Sequence, residues 1–252
     1  MASFLNSLFL ILAFTAYPAL ATELKIFAPG ALSSTLVDIL PAFEKENGYV
    51  VRIEYGAAGP LAARVRKGEA ADAAVLSRAE ITSLSKEGIV KAGITPDVAR
   101  VGIGIMVRKG QPKPDVSSVD NLKRTLMNAT SVGIADPAQG AAGAHLVKVF
   151  TSWGMMDELA PKIRALPPGS GLYAGVETGI AELGFAPISE ILARQKTLEY
   201  VGPVPAAMQN YNRFAGGVLT ASKQPEAARK LIEFLASDRT ADALRRHGLE
   251  PK

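Results

Sequence analysis

Three short segments of this chain concentrate residues that let a backbone approach a ligand. They are Ala28-Pro29-Gly30-Ala31, Gly56-Ala57-Ala58-Gly59 and Gly140-Ala141-Ala142-Gly143, the last closing a run that begins at Asp136. Each joins a short apolar run to a segment with helical spacing. Small side chains expose the main chain, and a helix start presents N–H groups that no turn of its own satisfies. Those groups carry partial positive charge, so several such loops around one cleft would hold a small anion without any lysine. Taken singly, each is better read as an ordinary turn that needs glycine for its backbone angle. Three at equivalent positions favour ligand binding, with Gly30, Ala31, Ala58, Gly59, Ala142 and Gly143 as the residues concerned.

Arg78 is the most informative charge. It ends an apolar strand in Leu76-Ser77-Arg78-Ala79-Glu80. A guanidinium there could clamp a carboxylate or oxyanion through two parallel hydrogen bonds; the alternative is a solvated arginine that begins a helix. Catalytic groups are scarce. The chain has two histidines. His247 falls at a helix C-terminus, where a cation suits the dipole, and His145 falls in the first turn of the helix after Gly143. There is no Gly-x-Ser-x-Gly elbow. Two distant histidines and no cysteine make no zinc site. No catalytic residue, metal or cofactor is expected, and the chain reads as a binder rather than an enzyme.

The elements that must position these residues follow an alternating pattern. Strand Leu24–Ala28 leads to a helix with Ser33 or Ser34 as its cap and Leu36, Ile39, Leu40 and Phe43 at helical spacing, ended by Asn47-Gly48. Strand Val50–Tyr55 leads to a helix with Pro60 at its start. Strand Ala73–Leu76, apolar throughout, leads to helix Glu80–Lys86. This βαβαβ order belongs to a doubly wound parallel sheet. It restarts with strand Ser131–Ala135 and its helix, then strand Glu182–Ala186 and helix Ser189–Arg194. Two long extended runs, Val101–Val107 and Phe214–Thr220, separate the blocks, and helices Pro225–Leu235 and Ala241–Arg246 close the chain. The fold class is therefore α/β: two doubly wound lobes around a cleft, joined by two crossing strands. Residues 22–104 with 213–252 form the first lobe and 105–212 the second, hinged near Gly102–Met106 and Asn210–Gly216.

In this order the chain resembles the periplasmic molybdate-binding proteins that feed ABC importers. The matching pieces are Leu24–Ala28 with Ala31-Leu32, Phe43-Glu44-Lys45-Glu46-Asn47-Gly48, and Gly59-Pro60-Leu61-Ala62. Further matches are Gly68-Glu69-Ala70-Ala71-Asp72, Asp136-Pro137 with Ala142-Gly143, and Phe234-Leu235-Ala236-Ser237 with His247-Gly248-Leu249. The resemblance implies a type II periplasmic binding protein. Its oxyanion ligands would fall on Ala31 and Ala58 (serines in the family), on the main chain at Ala142 and near Gly169, and on Pro187 (a tyrosine in the family). Three hydroxyl donors are thereby missing, each worth about 1.5–3 kcal/mol to a charged acceptor. Ser33, Ser34, Ser77, Ser170 and Ser189 stand nearby as substitutes. The ligand class implied is a small anion, either a molybdate-like oxyanion or an organic anion that Arg78 would help to neutralise. The alternatives are an exported hydrolase or isomerase on a binding-protein scaffold and a sensing module for a signalling partner.

Residues 1–21 read as an export signal. An apolar block through Leu8-Phe9-Leu10-Ile11-Leu12 precedes the small-x-small triplet Ala19-Leu20-Ala21, and the block is too short to span a bilayer. About 230 residues remain, enough for two cores. The 28 basic and 24 acidic residues leave a mild net charge of +4, dispersed along the chain, so no nucleic-acid or membrane-surface partner is expected. With no cysteine, neither a disulfide nor a lipid-anchored N-terminal cysteine is available. The expected product is a periplasmic monomer, not inserted in the membrane after cleavage, whose partners are a small anion and the membrane subunits of an ABC importer.

Overall fold

The computed structural model describes residues 22–139 and 141–252. The segment read as an export signal, and Gly140 of the third loop, lie outside the described residues.

The first half of the chain builds β1 (Thr22–Pro29), α1 (Ser33–Asn47), β2 (Tyr49–Gly56), α2 (Ala58–Arg66), β3 (Ala73–Ser77), α3 (Arg78–Lys86) and β4 (Asp97–Val101). The second lobe follows as β5 (Ile103–Arg108), α4 (Val119–Asn128), β6 (Val132–Ala135), α5 (Ala141–Ser152), α6 (Met156–Leu159), β7 (Ile163–Leu166), α7 (Ser170–Glu177), β8 (Leu183–Pro187), α8 (Ile188–Leu192) and β9 (Leu198–Pro203). The chain then returns through β10 (Asn212–Val218), α9 (Pro225–Leu235), α10 (Ala241–Arg246) and β11 (Glu250–Pro251).

Two mixed sheets result. The first has the order β11-β4-β10-β3-β1-β2 and the second β7-β6-β8-β5-β9. β1 runs parallel to β2 and β3, and β6 runs parallel to β7 and β8. The reversed strands are β5 in the second sheet and β10 and the short β11 in the first.

Strand periodicity explains why the central strands are apolar on both faces. Leu24, Ile26, Ala28, Ala73 and Val75 pack with α1, α9 and α10 in one layer. The intervening Phe27, Ala74 and Leu76 pack with α2 and α3 in the other. Alternate residues of one strand thus feed two cores, as expected of a sheet covered by helices on both sides. The α1 stripe is the one its spacing predicts, and Gly48 ends it in the left-handed region at φ 69°. The capping expectation is corrected: a 3-10 turn over Gly30–Leu32 runs straight into α1, so Ser33 and Ser34 lie inside the helix and no side chain caps it.

The run Val101–Val107 is not one strand. It breaks at Gly102, with β4 in the first sheet and β5 in the second. Ile103 and Gly104, expected in the first lobe, therefore belong to the second sheet, and Asn212, expected in the second lobe, belongs to the first. The return crossing, residues 204–211, lies against this break. Ile103 N–H donates to Gln209 Oε1 at 2.6 Å, and Gln209 Nε2 donates to the Ile103 carbonyl at 3.1 Å. A Cβ on Gly102 would stand 2.9 Å from the Gln209 amide carbon. Only a glycine lets the two crossings touch so closely. Beside the same break, Ile188 of α8 donates its N–H to the Gly102 carbonyl at 3.1 Å and packs against the first lobe's core. Among the described residues no helix is long and apolar enough to cross a membrane.

Candidate functional site

Where the two sheets meet, a pocket of about 290 Å³ opens beside the crossings. Val101, Gly102 and Ile103 form one wall and Asn210, Tyr211 and Asn212 another. The second lobe contributes Ala142 and Leu146 from α5 and Phe185, Ala186 and Pro187 from the carboxyl end of β8. Its size sits at the lower edge of ligand pockets, about 300–1,000 Å³, so it suits a small molecule. Larger hollows of about 440 and 460 Å³ lie on the outside of the second lobe. The first borders Leu183, at the amino end of β8, and the second Pro114–Ser117. Ligands of open α/β sheets bind at carboxyl ends, which selects the pocket between the lobes.

Of the residues expected to touch ligand, Ala142 and Pro187 line this pocket. Gly143 is buried behind Ala142: a Cβ there would fall 1.8 Å from the Ala135 carbonyl oxygen. Its glycine is thus required by packing of α5 on the end of β6. Gly30 and Ala31 lie in the 3-10 turn, and Ala31 packs on the first core. Ala58 packs on the second core of that lobe, while Gly59 faces open space. Gly169 precedes α7 with φ 74°. None of these five lines the pocket.

The reading of Arg78 is corrected. Its Nε donates to Asp97 Oδ1 at 2.8 Å and its Nη1 to the Thr95 carbonyl at 2.8 Å. The guanidinium is spent within the first lobe and does not border the pocket. Both partners are about one-third exposed, 34% and 38%, and exposed pairs contribute about 0.2–1 kcal/mol. Arg78→Ala is therefore expected to lower stability by about 1 kcal/mol or less and to leave ligand affinity unchanged, as urea unfolding and calorimetric titration would show. Of the substitute serines, Ser77 caps α3 by accepting from Glu80 N–H at 3.3 Å. The Ser189 hydroxyl, next to the Pro187 wall, is buried with no hydrogen-bond partner among the described residues, as is that of Thr35.

No charged side chain lines the pocket. The 3-10 turn, α2, α7 and α8 begin with no capping side chain, whereas Ser77 and Ser118 cap α3 and α4. Ile188, the first residue of α8, donates its N–H to the Gly102 carbonyl at 3.1 Å, and of these starts only that of α8 adjoins a pocket residue, Pro187. Tyr211 is the one titratable residue among those lining the pocket. The neighbouring Glu250 carboxylate pushes its phenol above the ordinary range, and the Arg100 guanidinium carbon sits 4.4 Å over its ring. His145 turns aside to donate from Nε2 to the Met208 carbonyl at 2.8 Å. His247 sits 3.1 Å from Asp38 at the end of α10, the structural place its sequence context suggested. Among the described residues no cluster of metal-ligating side chains occurs.

A sequence profile described as bacterial extracellular solute-binding protein matches residues 24–250. The chain belongs to that family. An aconitate isomerase of Pseudomonas sp. is 31% identical over 237 residues, covering 91% of this chain and 88% of that protein. The molybdate-binding protein ModA of Azotobacter vinelandii is 26% identical over 234 residues, covering 91% and 90%. A solved structure of the Azotobacter vinelandii periplasmic molybdate-binding protein superposes with a TM-score of 0.73 at 18% identity, covering 91% of this chain and all of that one. The chain is thus a divergent relative of the molybdate-binding proteins, with their type II two-lobed fold.

The pocket's crossing walls were missed as pocket lining. Val101–Ile103 and Asn210–Asn212 were visible as a hinge, yet nothing in their residue types marks them as ligand-facing. The polar pair Asn210 and Asn212, flanking Tyr211 in an otherwise apolar setting, is the signal that could have found them.

Proposed function

We propose that this protein is a periplasmic solute-binding protein that captures a small organic carboxylate in the pocket between its lobes and delivers it to the membrane subunits of an ABC importer. The observation that carries this reading is the pocket's lining. It offers two neutral carboxamides, apolar wall from Leu146, Phe185 and Ala186, and no charged side chain. The resemblance puts the hydroxyl-bearing oxyanion positions of molybdate-binding proteins on Ala31, Ala58 and Pro187, of which Pro187 lines the pocket. A half-apolar pocket suits a ligand with a carbon skeleton better than an inorganic dianion. The relative that acts on aconitate supports the same chemical class.

That relative also favours a second reading, isomerisation of an unsaturated carboxylate on the same scaffold. Moving a proton off and onto carbon needs a base within reach of the substrate. Tyr211, already engaged by Glu250, is the pocket's sole titratable lining group, so binding is preferred.

Thermal denaturation with a panel of cis-aconitate, trans-aconitate, succinate, molybdate and sulfate tests both readings. A ligand at a hundredfold excess over Kd adds about 2.7 kcal/mol, which raises Tm by roughly 5 °C or more in a chain of this size. A shift with a carboxylate and none with molybdate is expected; a shift with molybdate alone would overturn the proposal. Conversion of cis- to trans-aconitate, followed by proton NMR, would establish the isomerase instead.

A further inference from the structure

We propose that Asn210 and Asn212 determine ligand specificity by gripping the ligand from opposite sides of the hinge. This inference rests on the organic-carboxylate reading of the pocket. Both side chains line that pocket, both are exposed, and neither makes a hydrogen bond among the described residues. They sit two residues apart, yet each is fastened to a different lobe.

Asn210 belongs to the second lobe. Its N–H donates to Gln209 Oε1 at 3.1 Å, and that carboxamide is paired with both main-chain groups of Ile103 in β5. One residue earlier, Met208 is buried in the second lobe's core and its carbonyl receives His145 of α5. Asn212 belongs to the first lobe, where it pairs in register with Val101 of β4. Tyr211 is tied to that lobe as well, through Arg100 and Glu250. The pivot therefore falls at the junction of Asn210 and Tyr211. When the lobes rotate, the two carboxamides change their separation and mutual angle.

Each carboxamide offers two N–H donors and one carbonyl acceptor, with no net charge. A ligand with oxygen-bearing groups at both ends can bond both carboxamides at only one lobe angle. Recognition and closure then become one event, since a ligand can shift a conformational equilibrium only through its differential affinity for the two states. A monocarboxylate would bond one carboxamide and leave the lobes free.

The test is calorimetric titration of the full protein with cis-aconitate, trans-aconitate and acetate, using Asn210→Ala, Asn212→Ala and the double variant. Small-angle scattering reads closure on the same samples. Loss of exposed, unbonded side chains should leave unliganded Tm unchanged, so folding is not at issue. Each single substitution is expected to weaken the better-bound aconitate about tenfold or more, and the double variant should no longer contract on saturation. Asn212→Asp should weaken it further than Asn212→Ala, because a carboxylate then faces a carboxylate. No binding of either aconitate by the unaltered protein would overturn the organic-carboxylate reading and this inference with it. Aconitate binding and contraction that persist unchanged in the double variant would overturn this inference alone.

Discussion

Gly143→Ala is expected to destabilise the protein by about 3 kcal/mol or more and to abolish ligand capture. The added Cβ would fall 1.8 Å from the Ala135 carbonyl oxygen. That neighbour is backbone at the end of a strand buried in the sheet, so it cannot swing away as a side-chain tip would. Overpacking normally costs about 1–3 kcal/mol, and a rigid main-chain clash belongs at or above the top of that range. Relief would need α5 to lift from β6, carrying Ala142 and Leu146 out of the pocket wall. Gly59→Ala is the contrasting control. Its Cβ meets nothing within 4 Å inside α2, so the change should be neutral or stabilising by up to about 1 kcal/mol. Urea unfolding of both variants measures the difference.

Phe185→Ala is expected to cost about 3–5 kcal/mol, the usual range for emptying an aromatic site in a core. Phe185 is 2% exposed, and its ring meets that of Phe150 edge to face at 5.9 Å between centroids. Unlike Phe150, it also lines the pocket. The two variants therefore separate stability from recognition. Phe150→Ala should lower Tm by a similar amount while leaving affinity near its original value below the transition. Phe185→Ala should lower both, because the pocket loses its apolar floor. Equal affinities in the two folded variants would show that Phe185 does not touch the ligand.

Much of the architecture was legible because it rests on local patterns. The alternation of apolar β runs with helical stripes located β1, β2, β3, β6, β8 and the helices that follow them. Glycine marked the end of α1. The block between Gln111 and Thr130 gave no apolar strand and left α4 unread, although Leu122 and Leu126 form its buried face. Strand β7 is short and half-exposed, and β9 is broken by a register shift at its pairing with β5, so neither carries a clean period of two. The break at Gly102 is invisible in an unbroken apolar run, since only the sheets on either side reveal that the chain changes partners there.

The site was less legible than the fold. Loop composition led to Ala142 and the family resemblance to Pro187, both of which the pocket contains. It also led to Arg78, where a charge at a strand end was read as cleft-facing. Its partner Asp97 lies nineteen residues on, at the start of a strand whose neighbour is β10. Sequence proximity cannot supply that pairing. The same holds for Gln209 and Ile103, whose contact defines the hinge but spans more than a hundred residues. Long-range register decides which polar groups are free for a ligand and which are already used.

The measurement closest to the central claim is calorimetric titration of the unaltered protein with cis-aconitate, trans-aconitate and molybdate under one buffer. If the family's three hydroxyl donors fall on Ala31, Ala58 and Pro187 as the resemblance implies, their loss would disfavour molybdate by several kcal/mol, each 1.4 kcal/mol being a factor of ten in Kd. One of the aconitates is expected to bind at least about tenfold more tightly than molybdate. A submicromolar Kd for molybdate, with no heat from either carboxylate, would contradict it.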